Sequence, residues 1–282
     1  MANEEVHGTS AHRTDTPYAF LNDDAEWARL DGTHRGITEY LHGELCTAPL
    51  EDPHNILDLG AGSGAWAIHA ANTYPAAQVT AADISPMPAR PYPPNVQTIQ
   101  LNLLLPLTLP EESYDIIHLR LVLFHLPNPQ TVLTRITRLL APAGHLLIED
   151  LCLPQHDPAT LGPAQALYDS VCRTYMAQHA LVADTGARVG AYMRETGVFA
   201  RVEEREVALV LNPLTDDPDT RELAAVMRRT VLDAMTGRLA PELVALGLSD
   251  AVKAAWRAEM TDGTEAHRWV TPLYFVWGRK AG

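Results

Sequence analysis

Residues 55–65, Asn-Ile-Leu-Asp-Leu-Gly-Ala-Gly-Ser-Gly-Ala, constrain this chain more than any other stretch. A short apolar run, Ile56, Leu57 and Leu59, carries an acid at Asp58 and then meets glycine at 60, 62 and 64. An apolar pattern resumes at Trp66, Ile68 and Ala70, so the glycines form a turn from a strand into a helix. Glycine there lets the backbone turn tightly and lets a ligand lie against bare main chain.

Two ligand classes compete for such a turn. Gly60, Gly62 and Ala65 satisfy the G-x-G-x-x-G/A pattern of dinucleotide sites. Asp58 argues against that reading, because a carboxylate at the strand end repels a pyrophosphate. It attracts a ligand bearing an ammonium and a sulfonium, as S-adenosylmethionine (SAM) does. A second acid, Asp83, closes the next apolar run, 79–82, at the distance from which a carboxylate takes ribose hydroxyls. The plain alternative for Asp58 is a turn or helix-capping carboxylate.

The stretch 56–64, Asp83-Ile84-Ser85-Pro86, and Ser113-Tyr114-Asp115-Ile116-Ile117-His118 together resemble the class I SAM-dependent methyltransferases. Tyr18-Ala19-Phe20-Leu21-Asn22-Asp23 with Glu26, Arg29-Leu30-Asp31, His34 and the proline-rich segment 85–96 resemble the fungal LaeA-like (UMTA-type) enzymes of secondary metabolism. The class resemblance covers roughly 50–150, and beyond 150 no motif stands out. It implies an α/β Rossmann-like fold with a seven-stranded, mostly parallel sheet in the order 3-2-1-4-5-7-6, the last strand antiparallel.

With 46% apolar residues, the 282-residue chain suits one large domain. The net charge of -14 disfavours a nucleic-acid partner, which needs a basic stripe, and an anionic membrane surface. Three cysteines and twelve scattered histidines show no metal-ligand spacing, so no metal is expected. No apolar run approaches the roughly 20 residues of a membrane span, and the polar start is no secretory signal. These features together predict a cytoplasmic protein, monomer or homodimer.

Residues 1–17 read as a disordered lead-in and 18–282 as the methyltransferase domain: a cap helix within 18–50, a SAM-binding core over 51–150, and the rest of the sheet with lid helices at about 160–182 and 219–260. Asp23 and Glu26 resemble a capping box for a helix over 24–45. Strands are expected at 55–59, 78–82, 96–101, 114–119, 144–149, 202–211 and 269–279, with helices at 64–73 and 128–141. Proline at 86, 88, 91, 93 and 94 makes the third connection a loop. The cap helix and the two later helical stretches are expected to cover the carboxyl ends of the strands, where open α/β sheets bind ligands.

The resemblance also implies roles. Asp58 and the main chain of Gly60, Ala61, Gly62 and Gly64 hold the methionine end, and Asp83 with Ile84 holds the ribose. Asn102 stands where relatives carry an acid for the adenine amino group, and it can accept through its amide oxygen; otherwise it merely ends a strand. Leu103 offers a main-chain N–H to the ring. Arg120 and Leu121 pass under the methionine, unless Arg120 is a surface ion pair. Tyr18 and Arg29 close over the cofactor. A general base, if needed, comes from His125, Glu149 or His179, each of which has an ordinary structural reading; His125 occupies a Leu-His-His-Leu position, where a packed histidine serves structure. Tyr168, Tyr175, Met176, Met227 and Trp256 line the pocket of a small-molecule acceptor, or are core.

The function this predicts is methyl transfer from SAM to oxygen or nitrogen of a small natural product. The rivals are a regulatory SAM-fold protein, a SAM-assisted cyclisation or rearrangement, and a dinucleotide enzyme. Asp83→Ala is expected to lose most SAM binding with the fold intact, its partners being exposed ribose hydroxyls.

Overall fold

The computed structural model describes residues 23–154, 161–211, 217–237, 239–262 and 269–282. The readings placed on Tyr18 and on the lead-in 1–17 lie outside the described residues. Seven strands, β1 Asn55–Leu59, β2 Gln78–Asp83, β3 Val96–Gln100, β4 Tyr114–Arg120, β5 Leu140–Leu151, β6 Phe199–Val210 and β7 Val270–Lys280, form one sheet in the order β3-β2-β1-β4-β5-β7-β6. The first five run parallel, and β7 is antiparallel to both β5 and β6. β1 and β4 are buried almost throughout because both faces are covered.

The helices are α1 Asp24–Tyr40, α2 Ala65–Thr73, α3 Pro129–Ile136, α4 Pro163–Gln178, α5 Thr185–Glu195, α6 Arg221–Thr236, α7 Pro241–Ala245 and α8 Asp250–Thr261, with a 3-10 turn at Leu123–His125. Asp23 caps α1 by accepting from Glu26 N at 2.9 Å, while the Glu26 carboxylate grips Arg29 with both oxygens. α1 stops at Tyr40, short of the expected 45, because His42 and Gly43 take positive φ and Gly43 N–H closes on Thr38 O at 2.8 Å. α3 ends at Ile136 and not 141, since Leu140 already pairs with Tyr114 in the sheet. α5 falls in a stretch read as neither helix nor strand.

Helices α1, α4, α6, α7 and α8 share an apolar core with the β6–β7 end of the sheet. Tyr168 stacks on Trp256 at 4.4 Å, and its hydroxyl donates to Met235 O at 2.9 Å. Glu259 of α8 accepts from Ala164 and Gln165 N–H, so α8 caps the exposed donors of α4. Gly36 lets α1 approach α6: a Cβ there would lie 2.5 Å from Val226 Cγ1. Beside it Thr33 and Thr230 share a buried hydroxyl–hydroxyl bond of 2.7 Å.

Candidate active site

The turn after β1 takes positive φ at Gly60 (71°), Gly62 (55°) and Gly64 (79°). Space matters as much as torsion. A Cβ on Gly60 would sit 2.5 Å from Val122 Cγ2, and one on Gly62 would sit 2.8 Å from Leu30 Cδ1. The donors of this turn face inward: Gly60 and Ala61 N–H both reach Ala82 O, at 2.8 and 3.0 Å, and Gly62 N–H reaches Asp83 Oδ2 at 2.8 Å. A pyrophosphate needs such N–H groups pointing at it, and here they are already engaged.

Asp58 and His118 are register partners on β1 and β4, and Arg120 and Glu149 on β4 and β5. The two-residue strand period puts all four side chains on one face. His118 lies flat on Trp66 (3.8 Å, 5°), and its Nδ1 stands 2.7 Å from Asp58 Oδ1. Its Nε2 faces Glu149 Oε2 at 3.4 Å, and Arg120 Nε closes a short ion pair with the same oxygen. Arg120 Nη1 donates to His34 Nδ1 of α1 at 2.9 Å. Burial, then the Arg120 charge, lowers His34 to about 3, which keeps it neutral and able to accept. Asp58 Oδ2 is buried and, among the described residues, has no hydrogen-bond partner. Such an orphan costs about 1–3 kcal/mol, more for a charged group, unless a ligand satisfies it.

Asp83 anchors the loop. Its Oδ2 accepts from Gly62 and its Oδ1 from Ser85 N–H at 2.9 Å; burial pushes its pKa up, against those two bonds. Asn102 lines the cavity, but its amide oxygen already accepts from Leu104 N–H at 2.8 Å. Leu103 lines it too, with its carbonyl held by Arg135 Nη2 at 2.6 Å.

A methyltransferase-domain family model matches residues 33–185, and the chain is 38% identical over 268 residues to "Methyltransferase str2" of Strobilurus tenacellus, covering 94% of this chain and 97% of that one. The chain belongs to the class I, SAM-dependent methyltransferase family. A second relative, "Secondary metabolism regulator LAE1" of Cochliobolus heterostrophus, is 28% identical over 73% of this chain and 70% of its own. Among solved structures, a phosphoethanolamine N-methyltransferase of Haemonchus contortus shares the fold with a TM-score of 0.54 and 16% identity over 89% of this chain; the match spans 52% of that enzyme.

SAM fits the residues present. Asp58 supplies an unmatched buried acceptor for its ammonium, the glycine turn leaves no Cβ in the way, and Asp83 and Ile84 line the cavity beyond. Gly60, Ala61, Gly62, Arg29, Arg120 and Leu121 also line it. Gly64 does not; it starts α2 against Met87 and Tyr92.

The same cavity, about 330 Å³, runs on among the lid helices of this methyltransferase, where Tyr168, Tyr175, Met176, Met227 and Trp256 line it. Of the three proposed bases only His125 reaches it, and burial, then the Arg29 charge, lowers that ring to about 4. His179 is elsewhere: it caps α4, with Nδ1 2.9 Å from Tyr175 O. Glu149 is a correction of the same kind. Burial raises its pKa, but Arg120 and His118 outweigh that and leave it at about 2, so it is an ion-pair anchor beneath the cavity and a poor base. Arg120 is correspondingly no surface ion pair.

His118, His34 and Asp150 have no role among the sequence-based expectations. Strand alternation carried a signal for two of them: His118 shares parity with Arg120, and Asp150 opposes Glu149.

Proposed function

We propose that the chain transfers a methyl group from SAM to an oxygen or nitrogen of a small, natural-product-type acceptor. One observation carries this reading: a single cavity joins the unmatched Asp58 carboxylate and the glycine turn to an aromatic chamber under the lid helices. SAM, when bound, supplies a methyl carbon already activated by its sulfonium. The chain's own task is alignment and exclusion of water. Asp58 anchors the amino-acid end, held in place by His118, and Asp83 fixes the glycine turn and faces the ribose end. Leu121 and Val122 line the same cavity, and α1, α4, α6 and α8 shield the chamber.

The test is stoichiometric. Candidate metabolites are incubated with SAM, and S-adenosylhomocysteine (SAH) and methylated product are counted together by mass spectrometry. One SAH per methylated product is expected; product forming without SAH release refutes methyl transfer and favours a rearrangement.

A further inference from the structure

As the chain leaves β5, residues 150–154 line the cavity and lead toward α4, so Asp150 stands where the donor half meets the lid half. It is 1% exposed, and its two oxygens accept from Phe124 N–H at 3.1 Å and Leu151 N–H at 2.9 Å. Burial, against the N–H groups of Leu151, Phe124, Leu123 and Val122, raises Asp150 to about 7, near the value a base needs.

Its surroundings hold no matching cation among the described residues. The Cys152 thiol nearby is pushed up by burial, then by Asp184 and Asp150 itself; the Tyr274 phenol across the strand pair is pushed up by burial and Glu206. His125 is held neutral. Of the other cavity charges, Arg120 is paired with Glu149, Arg29 with Glu26 and Asp169 with Arg173, while Asp58, beside His118, and Asp83 stand at the donor end. Beyond Asp150 the chamber is aromatic, aliphatic and thioether in character. Both described arginines lining the cavity are paired, so among the described residues no unpaired guanidinium receives an anionic acceptor.

We propose that Asp150 is the general base of this enzyme, and that its acceptor is an uncharged molecule with an aromatic or aliphatic body under the lid and a hydroxyl directed at Asp150. This rests on the methyl-transfer reading. The acceptor's O–H bond breaks as its oxygen bonds the methyl carbon, the proton goes to the Asp150 carboxylate, and the carbon–sulfur pair stays on sulfur as a neutral thioether. The buried, unmatched carboxylate is thereby neutralised in the step that needs it.

The test uses 4-nitrophenol, whose absorbance reports its own ionisation, bound to the full chain with SAH. Asp150→Asn removes the charge; Asp150→Ser also removes it but keeps a capping oxygen for the 3-10 turn. The probe is expected to bind wild type, and its pKa is expected to fall by about one or more in the variants, because a neighbouring carboxylate no longer retains its proton. A role confined to capping Phe124 moves thermal stability and leaves that ionisation where it was. Equal ionisation in wild type and variants, or wild type that binds SAH yet ignores the probe, overturns the assignment. Calorimetry with SAH on the same preparations keeps the two readings apart, since absent SAH binding sinks the methyl-transfer reading itself.

Discussion

The unmatched oxygen of Asp58 makes Asp58→Asn the most discriminating change at the donor end. The amide oxygen can still accept from His118 Nδ1, now 2.7 Å from Asp58 Oδ1, so the stack on Trp66 and the relay to Arg120 survive. What disappears is the negative charge facing the ligand's ammonium. A hydrogen bond to a charged group contributes about 1.5–3 kcal/mol, and at about 1.4 kcal/mol per decade SAM affinity should fall about 10- to 100-fold. The apo protein should change by less than about 1 kcal/mol, because an already unsatisfied position is exchanged for another. Calorimetry with SAM and with methylthioadenosine, which lacks the amino-acid arm, isolates the contact. Wild type should strongly prefer SAM, and Asp58→Asn should lose most of that preference while binding methylthioadenosine as before. If the variant keeps the wild-type ratio, the ammonium is not at Asp58 and the orientation of the donor is wrong.

Asp83→Ala should abolish SAM binding and also lower the melting temperature, in contrast to the expectation of an intact fold, since Gly62 and Ser85 N–H both lose their acceptor. Differential scanning fluorimetry without ligand checks this; an unchanged melting temperature refutes the loop-anchoring role. Gly60→Ala should destabilise by about 2–5 kcal/mol, from left-handed torsion and the Val122 clash together, and adding Val122→Ala should recover only the clash part in urea unfolding. Stability should also fall with acid in two windows. His34, lowered from 6.5 to about 3, contributes above 6.5 and loses that contribution as pH falls through about 3; Glu149, lowered from 4.5 to about 2, does so between 4.5 and about 2. His34→Gln should flatten the upper window in urea titrations at pH 7 and pH 4, and a slope equal to wild type there would refute the buried neutral ring.

Much of the fold was legible because strand and helix periods alternate cleanly around residues 55–149 and the glycine turn marks the first crossover. α5 was hidden by its own packing. Gly186 must admit Asp150 O, where a Cβ would approach to 2.8 Å, and Gly190 must admit Glu204, so glycine interrupts the inner face of that helix and leaves Val189 and Met193 as a thin apolar stripe. At the site, Asp58 and Asp83 announced themselves by standing at strand ends beside glycines. Glu149 misled because its partners, Arg120 and His118, come from a different strand, and only register brings them together. Asp150 hid in its neighbour's shadow; choosing between adjacent acids required knowing which face of β5 the arginine occupies.

The capping of α4 by Glu259 and the tether from Tyr168 to Met235 have a practical reach. Three lid helices that are far apart along the chain are fastened to one another across the chamber. Grafting one such helix from a relative would sever a fastening at each end of the exchange. Recombination aimed at new acceptors should therefore move α4, α6 and α8 as a set and leave the residues before the end of β5 untouched.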